Sequence, residues 1–265
     1  MIALAIAWQI LPPVLILIGL GIAIDRLLDP DLDTLCAVTF HLLVPALVFD
    51  RIVGSELHWR ELSTVAAFAL LHVLAMGLLV LPLYRHSRWR QQAPVICMGA
   101  MFFNAGNIGL PVADIAFGAP GVAAMAIILM LQNLSSFTLG LWILERQRRR
   151  WTQWAIALAK IPVVPAIIIA LAMKAVDAVP PEPLAIPIGY LADALIPVAL
   201  VTLGIQFGRC RSAGHGGATA IAVGLRLLVS PLLAAAILWA LPMPPATRAL
   251  CICAAGMPVA VNVFI

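Results

Sequence analysis

Two short segments carry the residues best able to do chemistry in an otherwise apolar chain. The first reads Phe103-Asn104-Ala105-Gly106-Asn107-Ile108-Gly109-Leu110-Pro111, and the second Ala255-Gly256-Met257-Pro258-Val259-Ala260-Val261-Asn262. Asn104 and Asn107 are spaced i, i+3, which puts their amides on one helix face just before a break at Pro111. Pro111 has no N–H and frees the carbonyl of Asn107, four residues back. Asn262 lies one turn beyond Pro258. If two helices broken at these points cross, the amides and the freed backbone groups could surround a small ligand. Half-helices starting at the breaks would point positive dipole ends inward, which favours an anionic group. The candidate binding residues are Asn104, Asn107, Gly109, Pro111, Pro258 and Asn262. The plainer alternative is that the asparagines only join helices through interhelical hydrogen bonds.

Other polar residues inside apolar segments are candidates for coupling or charge pairing. Asp114 sits three residues past Pro111 and is either a site for a coupling proton or a solvated residue near the helix exit at Gly118. Lys160 and Arg226 are cations inside predicted spans; each can pair with a substrate carboxylate or with a membrane acid such as Asp193. Lys160 lies near a helix start, where snorkelling to the interface is the simpler role. Gln132 and Asn133 are candidates for lining the same cavity. His41 and His72 fit either a proton relay or a plain interhelical hydrogen bond. Cys36, Cys97, Cys210, Cys251 and Cys253 have no metal-ligand spacing and are expected to fill apolar space. No phosphate loop, zinc-protease motif or nucleophile elbow occurs, so neither an enzyme nor a metal or cofactor is expected.

These residues must be positioned by membrane helices. The chain is 63% hydrophobic and 11% charged, far from the roughly 25% charge of a soluble domain. Nine apolar spans run roughly over 3–24, 34–53, 63–84, 94–117, 120–143, 154–175, 184–207, 218–241 and 247–265, mostly near the about 20 residues that cross a bilayer core. The N-terminal segment lacks the basic start and small-residue cleavage site of a signal peptide, and is expected to remain as the first span. A net charge of +4 is no nucleic-acid signature here, because most arginines lie in short loops.

Loops after the odd-numbered spans hold Arg26, Arg85, Arg88, Arg90, Arg146, Arg148, Arg149, Arg150, Arg209 and Arg211; those after even-numbered spans hold Arg51, Arg60, Lys174 and Arg248. That asymmetry places the odd loops in the cytoplasm and the N-terminus outside. Pro13, Pro45 and Pro111 recur in rank order as Pro165, Pro197 and Pro258, with a first spacing of 32 residues in both halves. Five spans per repeat is an odd number, so the second copy enters the membrane inverted. The expected organisation is a first repeat over 1–145, a basic cytoplasmic loop over 146–153 and a second repeat over 154–265. The plan calls for a tenth span after the ninth, so the chain is expected to be either a fragment or a shortened paralogue.

Asn104-x-Gly106-x-x-Gly109-Leu110-Pro111, followed by Phe117-Gly118, resembles the first broken helix of the auxin efflux carrier family, whose bacterial members include malate and malonate permeases. Leu43-Val44-Pro45-Ala46-Leu47-Val48-Phe49, Lys160-Ile161-Pro162, Ile196-Pro197 with Gly204, Arg226 through Pro231-Leu232-Leu233, and Met257-Pro258-x-Ala260 extend the resemblance over essentially the whole chain. The resemblance implies a ten-helix inverted repeat, nine of whose helices are present, with helices 4 and 9 broken and crossing at prolines. It implies a scaffold of spans 1, 2, 6 and 7, and a mobile transport unit of spans 3–5 and 8–10. The expectation is an all-α polytopic protein of the bacterial inner membrane that carries small organic anions, with carboxylates foremost, by elevator-like alternating access. H+ or Na+ are candidate coupling ions and a homodimer is a candidate assembly. A membrane protein that binds the anion without transporting it is the alternative.

Overall fold

A computed structural model of the chain describes residues 2–55, 58–84, 91–136, 161–209 and 216–259. Among these the protein is all-α. The helices are α1 (Ile2–Leu28), α2 (Leu32–Val53), α3 (Trp59–Val80), α4 (Ala93–Met101), α5 (Ala105–Ser135), α6 (Val163–Ala175), α7 (Glu182–Arg209), α8 (Gly216–Ala240) and α9 (Pro245–Ala255). Five of the described helices are long and apolar enough to span a bilayer by length and composition. Their outward faces carry large apolar side chains: Leu78 is 69% exposed, Leu232 72% and Trp239 88%. Water would penalise such surfaces and hydrocarbon does not. The protein is an all-α polytopic membrane protein.

Prolines shape three of these helices in the same way. A wide turn with hydrogen bonds five residues apart occupies Thr39–Leu43, Ala105–Gly109 and Leu225–Val229. Each lies just ahead of a proline, Pro45, Pro111 and Pro231. Val44 N–H donates to Thr39 O, and Ser230 N–H to Leu225 O. A proline ring collides with the carbonyl four residues earlier and offers that carbonyl no donor. Widening the preceding turn by one residue relieves the collision without ending the helix. A second device bends α5. Gly118 has φ 64 and ψ −158, a region essentially closed to residues with a Cβ. With Pro120 two residues on, it separates what the sequence divides into spans 4 and 5.

The chain forms two compact units interleaved along the sequence. Unit 1 comprises Met1–Ser55, Gly106–Ala123 and Pro162–Ser212; unit 2 comprises Glu56–Ala105, Ala124–Ile161 and Ala213–Ile265. Unit 1 thus holds spans 1, 2 and 7, span 6 from Pro162 onward, the second half of span 4 and the first residues of span 5. The 1–145 and 154–265 halves are a division of the sequence and cut across both units.

In unit 1, α1 and α7 pack backbone to backbone. A Cβ at Gly21 would lie 2.1 Å from Val201 O, and one at Gly204 the same distance from Ile18 O. Such close approach is how apolar helices gain dispersion contact where lipid offers no hydrophobic drive. The pair is closed at its end by Arg209, whose Nε donates to Asp25 at 2.6 Å and whose Nη2 donates to Asp29 at 2.8 Å. Asp31 caps α2 by accepting from Thr34 N–H at 3.2 Å. Hydrogen bonds from Thr34 hold the Asp31 carboxyl below its ordinary range. In unit 2, α3 and α4 share a core that includes Val73, Met76, Val80, Met98, Met101 and Phe102.

Candidate functional site

In unit 2, both chain breaks meet. α4 ends at Met101, and Phe102 leaves it in an extended conformation, φ −113 and ψ 127. α9 ends at Ala255 and passes through Gly256 into Met257 and Pro258. Phe103 then pairs with Val259 in an isolated antiparallel bridge, and Asn104 N–H donates to Pro258 O at 2.9 Å. Backbone groups freed by one break are therefore partly satisfied by the other, as an apolar surrounding demands.

The position of the first break corrects the sequence expectation. It lies at 102–104, not at Pro111; Pro111 is the seventh residue of α5, just past the wide turn that accommodates its ring. Asn104 sits at the break and Asn107 lies after it, in the wide turn that opens α5; the two do not precede the break on one helix face. Both asparagines are buried, 6% and 3% exposed. Gly109 and Pro111 are buried within the same stretch.

The half-helix that starts at the first break, α5, begins at Ala105, and residues 260–265 beyond the second break lie outside the described residues. The ends of α4 and α9 at the crossing are C-terminal and carry partial negative charge. Arg226, in the wide turn of α8, serves both. Its Nη1 donates to Ala100 O at 2.9 Å, and its Nη2 donates to Ala255 O and, at 2.5 Å, to Ser230 Oγ. Its Cζ sits 4.9 Å from the centroid of the Phe103 ring, within cation–π range. Ser230 Oγ donates to Ala255 O at 2.8 Å, and His72 Nε2 lies 3.0 Å from the same hydroxyl. Arg226 is fully buried, and its Nε has no hydrogen-bond partner among the described residues.

Against the crossing lies a cavity of 540 Å³ lined by α4 and α8. It begins at Gln91, Gln92 and Thr219, near the helix starts, and reaches Gly99 and Val259. Six residues of helical rise, from the start of α4 at Ala93 to Gly99, correspond to about 9 Å. Gln132 is buried, with its Nε2 unpartnered among the described residues, and Asn133 is half-buried beside it in α5.

Asp114, in unit 1, is held by a cation that the sequence analysis assigned to a loop. Arg51 Nε donates to Asp114 Oδ1 at 2.9 Å, while its other nitrogens reach Asp50 at 2.7 Å and Asp193 at 3.2 Å. The partner found for Asp193 is thus Arg51. The missed signal was plain: Arg51 falls inside the 34–53 span, and a charge within an apolar span calls for a counter-charge. Lys174 donates to Ser55 O in the same unit. Asn262 and Lys160, like the basic stretches 85–90 and 146–150, lie outside the described residues.

No protein-family model matches the chain. Over 254 residues it is 26% identical to a protein of Methanothermobacter thermautotrophicus described as an uncharacterized transporter, which spans 92% of this chain and 82% of that one. Together with the apolar helices, this similarity supports a transport role in a membrane.

Proposed function

We propose that the protein is a secondary carrier of small organic anions, with carboxylates foremost, built on the plan of the auxin efflux carrier family. The observation that carries this is the meeting of two chain breaks, Phe103 with Val259 and Asn104 with Pro258. Interrupted helices at corresponding places in two halves of a membrane chain mark the usual location of a transporter's binding site. The N–H groups of carboxamides suit a carboxylate, which only accepts hydrogen bonds. Asn104, Asn107 and Asn262 supply the amides, and Gly109, Pro111 and Pro258 shape the backbone that holds them. The cavity that ends at Gly99 and Val259 is the approach to the crossing from the side of the Arg85–Arg90 loop, which the arginine asymmetry places in the cytoplasm. Movement of a transport unit of spans 3–5 and 8–10 past a scaffold of spans 1, 2, 6 and 7 would alternate access, in a bacterial inner membrane with the N-terminus outside.

Uptake into proteoliposomes of malonate, succinate and benzoate, under imposed proton or sodium gradients, tests the carrier. Flux that saturates and follows one gradient is the expected result and identifies the coupling ion. Asn107→Ala and Asn262→Ala should each weaken the transported anion's affinity about tenfold, the worth of a hydrogen bond to a charged group. Unchanged affinity in folded variants removes these residues from the site. Binding without flux points instead to a sensor.

Accessibility tests the approach separately. In a cysteine-free background, Val95→Cys and Ala222→Cys should react with a membrane-impermeant thiol reagent from the cytoplasmic side only, and a transported anion should slow the reaction. Labelling from the opposite side, or none, places the approach elsewhere.

A further inference from the structure

We infer that Arg226 is a positioning residue that clamps the two chain breaks together, and that it is not the group that pairs with the transported anion. A sequence with one deep membrane arginine and an anionic substrate invites the opposite assignment. The hydrogen-bond geometry argues against it. The last carbonyls of a helix have no intrahelical donor, and in an apolar surrounding each needs one from elsewhere. Ala100 O near the end of α4 and Ala255 O at the end of α9 are two such groups, on different helices, and one guanidinium donates to both. Lysine, with a single nitrogen, cannot span them in this way; the planar fork can.

Charge balance points the same way. A helix C-terminus carries roughly half a negative charge, so two of them offset about one cation. Arg226 therefore sits at an electrostatically neutral junction, with the Phe103 ring face adding further stabilisation. Each Nη nitrogen donates to a helix-end carbonyl and the residue exposure is 0%, so no face of the guanidinium is open to an anion in this conformation. Ser230 completes the clamp: it accepts from Arg226, donates to Ala255 O and is braced by His72. Arg226 and Ser230 lie one helical turn apart on α8, the spacing that lets both face the same break. Downstream of the clamped carbonyls lie the residues that form the crossing, Phe103 and Asn104 on one side and Pro258 and Val259 on the other.

Hydrogen–deuterium exchange on the full chain in lipid nanodiscs reads the clamp directly, without any substrate. In Arg226→Gln, amides over 102–105 and 256–259 should exchange about tenfold faster or more, while peptides from 32–53 and 182–209 keep their wild-type rates. Ser230→Ala should accelerate the same two segments by a smaller factor, and Arg226→Lys should fall between wild type and Arg226→Gln. Unchanged exchange at both segments in Arg226→Gln overturns the inference. If Arg226→Gln exchanges faster everywhere, Ser230→Ala decides: local acceleration supports the clamp, and no acceleration overturns it. For whichever anion proves to be transported, Arg226→Gln should lower the maximal rate with little change in KM. A selective rise in KM with wild-type rate and exchange would make Arg226 the anion's partner. Because exchange needs no flux, a failure of the carrier assignment and a failure of the clamp are read separately.

Discussion

Replacing Gly204 with leucine should all but eliminate folded protein, and the alanine variants at Gly21 and Gly204 should each be measurably less stable. The reason lies in the α1–α7 contact, where the backbones approach so closely that an added Cβ would sit 2.1 Å from a carbonyl oxygen of the other helix. The obstructing atoms are backbone, which cannot rotate away as a side-chain tip can, so the helices must separate. Overpacking of this kind costs about 1–3 kcal/mol for a single methyl, or several degrees in melting temperature for a chain of this size. Leucine adds three more carbons to the same gap. The two alanine variants should not be additive, because the first forces the separation that the second needs. Thermal melts in one detergent, read by loss of the monodisperse peak, provide the check; an unchanged melt for Gly204→Leu would mean that the helices do not pack through these glycines.

The second large effect is expected at Arg51. Its guanidinium is shared by Asp50, Asp114 and Asp193, and the Asp114 side chain is only 14% exposed. Removing the cation in Arg51→Ala leaves three carboxylates facing one another, one of them largely away from solvent. Breaking a fully buried pair costs on the order of 3–5 kcal/mol; partial exposure should bring this to about 2–3 kcal/mol. Asp114→Asn should cost less, because the amide still accepts from Arg51 and two carboxylates remain to balance the cation. The double variant Arg51→Ala/Asp114→Asn should be more stable than Arg51→Ala alone, since the least exposed of the stranded charges is gone. A double-mutant cycle on melting temperature measures this coupling, and strict additivity would mean that Arg51 and Asp114 do not interact.

Much of this molecule is legible without a structure. Among the described residues the apolar spans fall on helices, with parts of 120–143, 154–175 and 247–265 lying outside them, and the division at Phe117–Pro120 matches the Gly118 bend. These follow from composition and local stereochemistry, because a bilayer accepts only backbone that satisfies itself and because Gly and Pro act on their own neighbourhoods. The special status of the segments around Asn104 and Pro258 is legible for the same reason.

What the sequence by itself determined, then, is the membrane-spanning class, the apolar segments, and the two stretches, 103–111 and 255–262, that depart from plain apolar helix. Only the tertiary structure decided that the first break falls at 102–104, since a widened turn can accommodate a proline inside a helix as well as a break can. It alone decided that Asn104 N–H finds Pro258 O, that Arg51 belongs to Asp114 and Asp193, and that Arg226 faces helix-end carbonyls. Each of these is a choice of partner among groups far apart in the chain. Local propensity is silent on such choices: a charge buried in an apolar span declares that it needs a partner, and only the packing of distant helices determines which partner it gets.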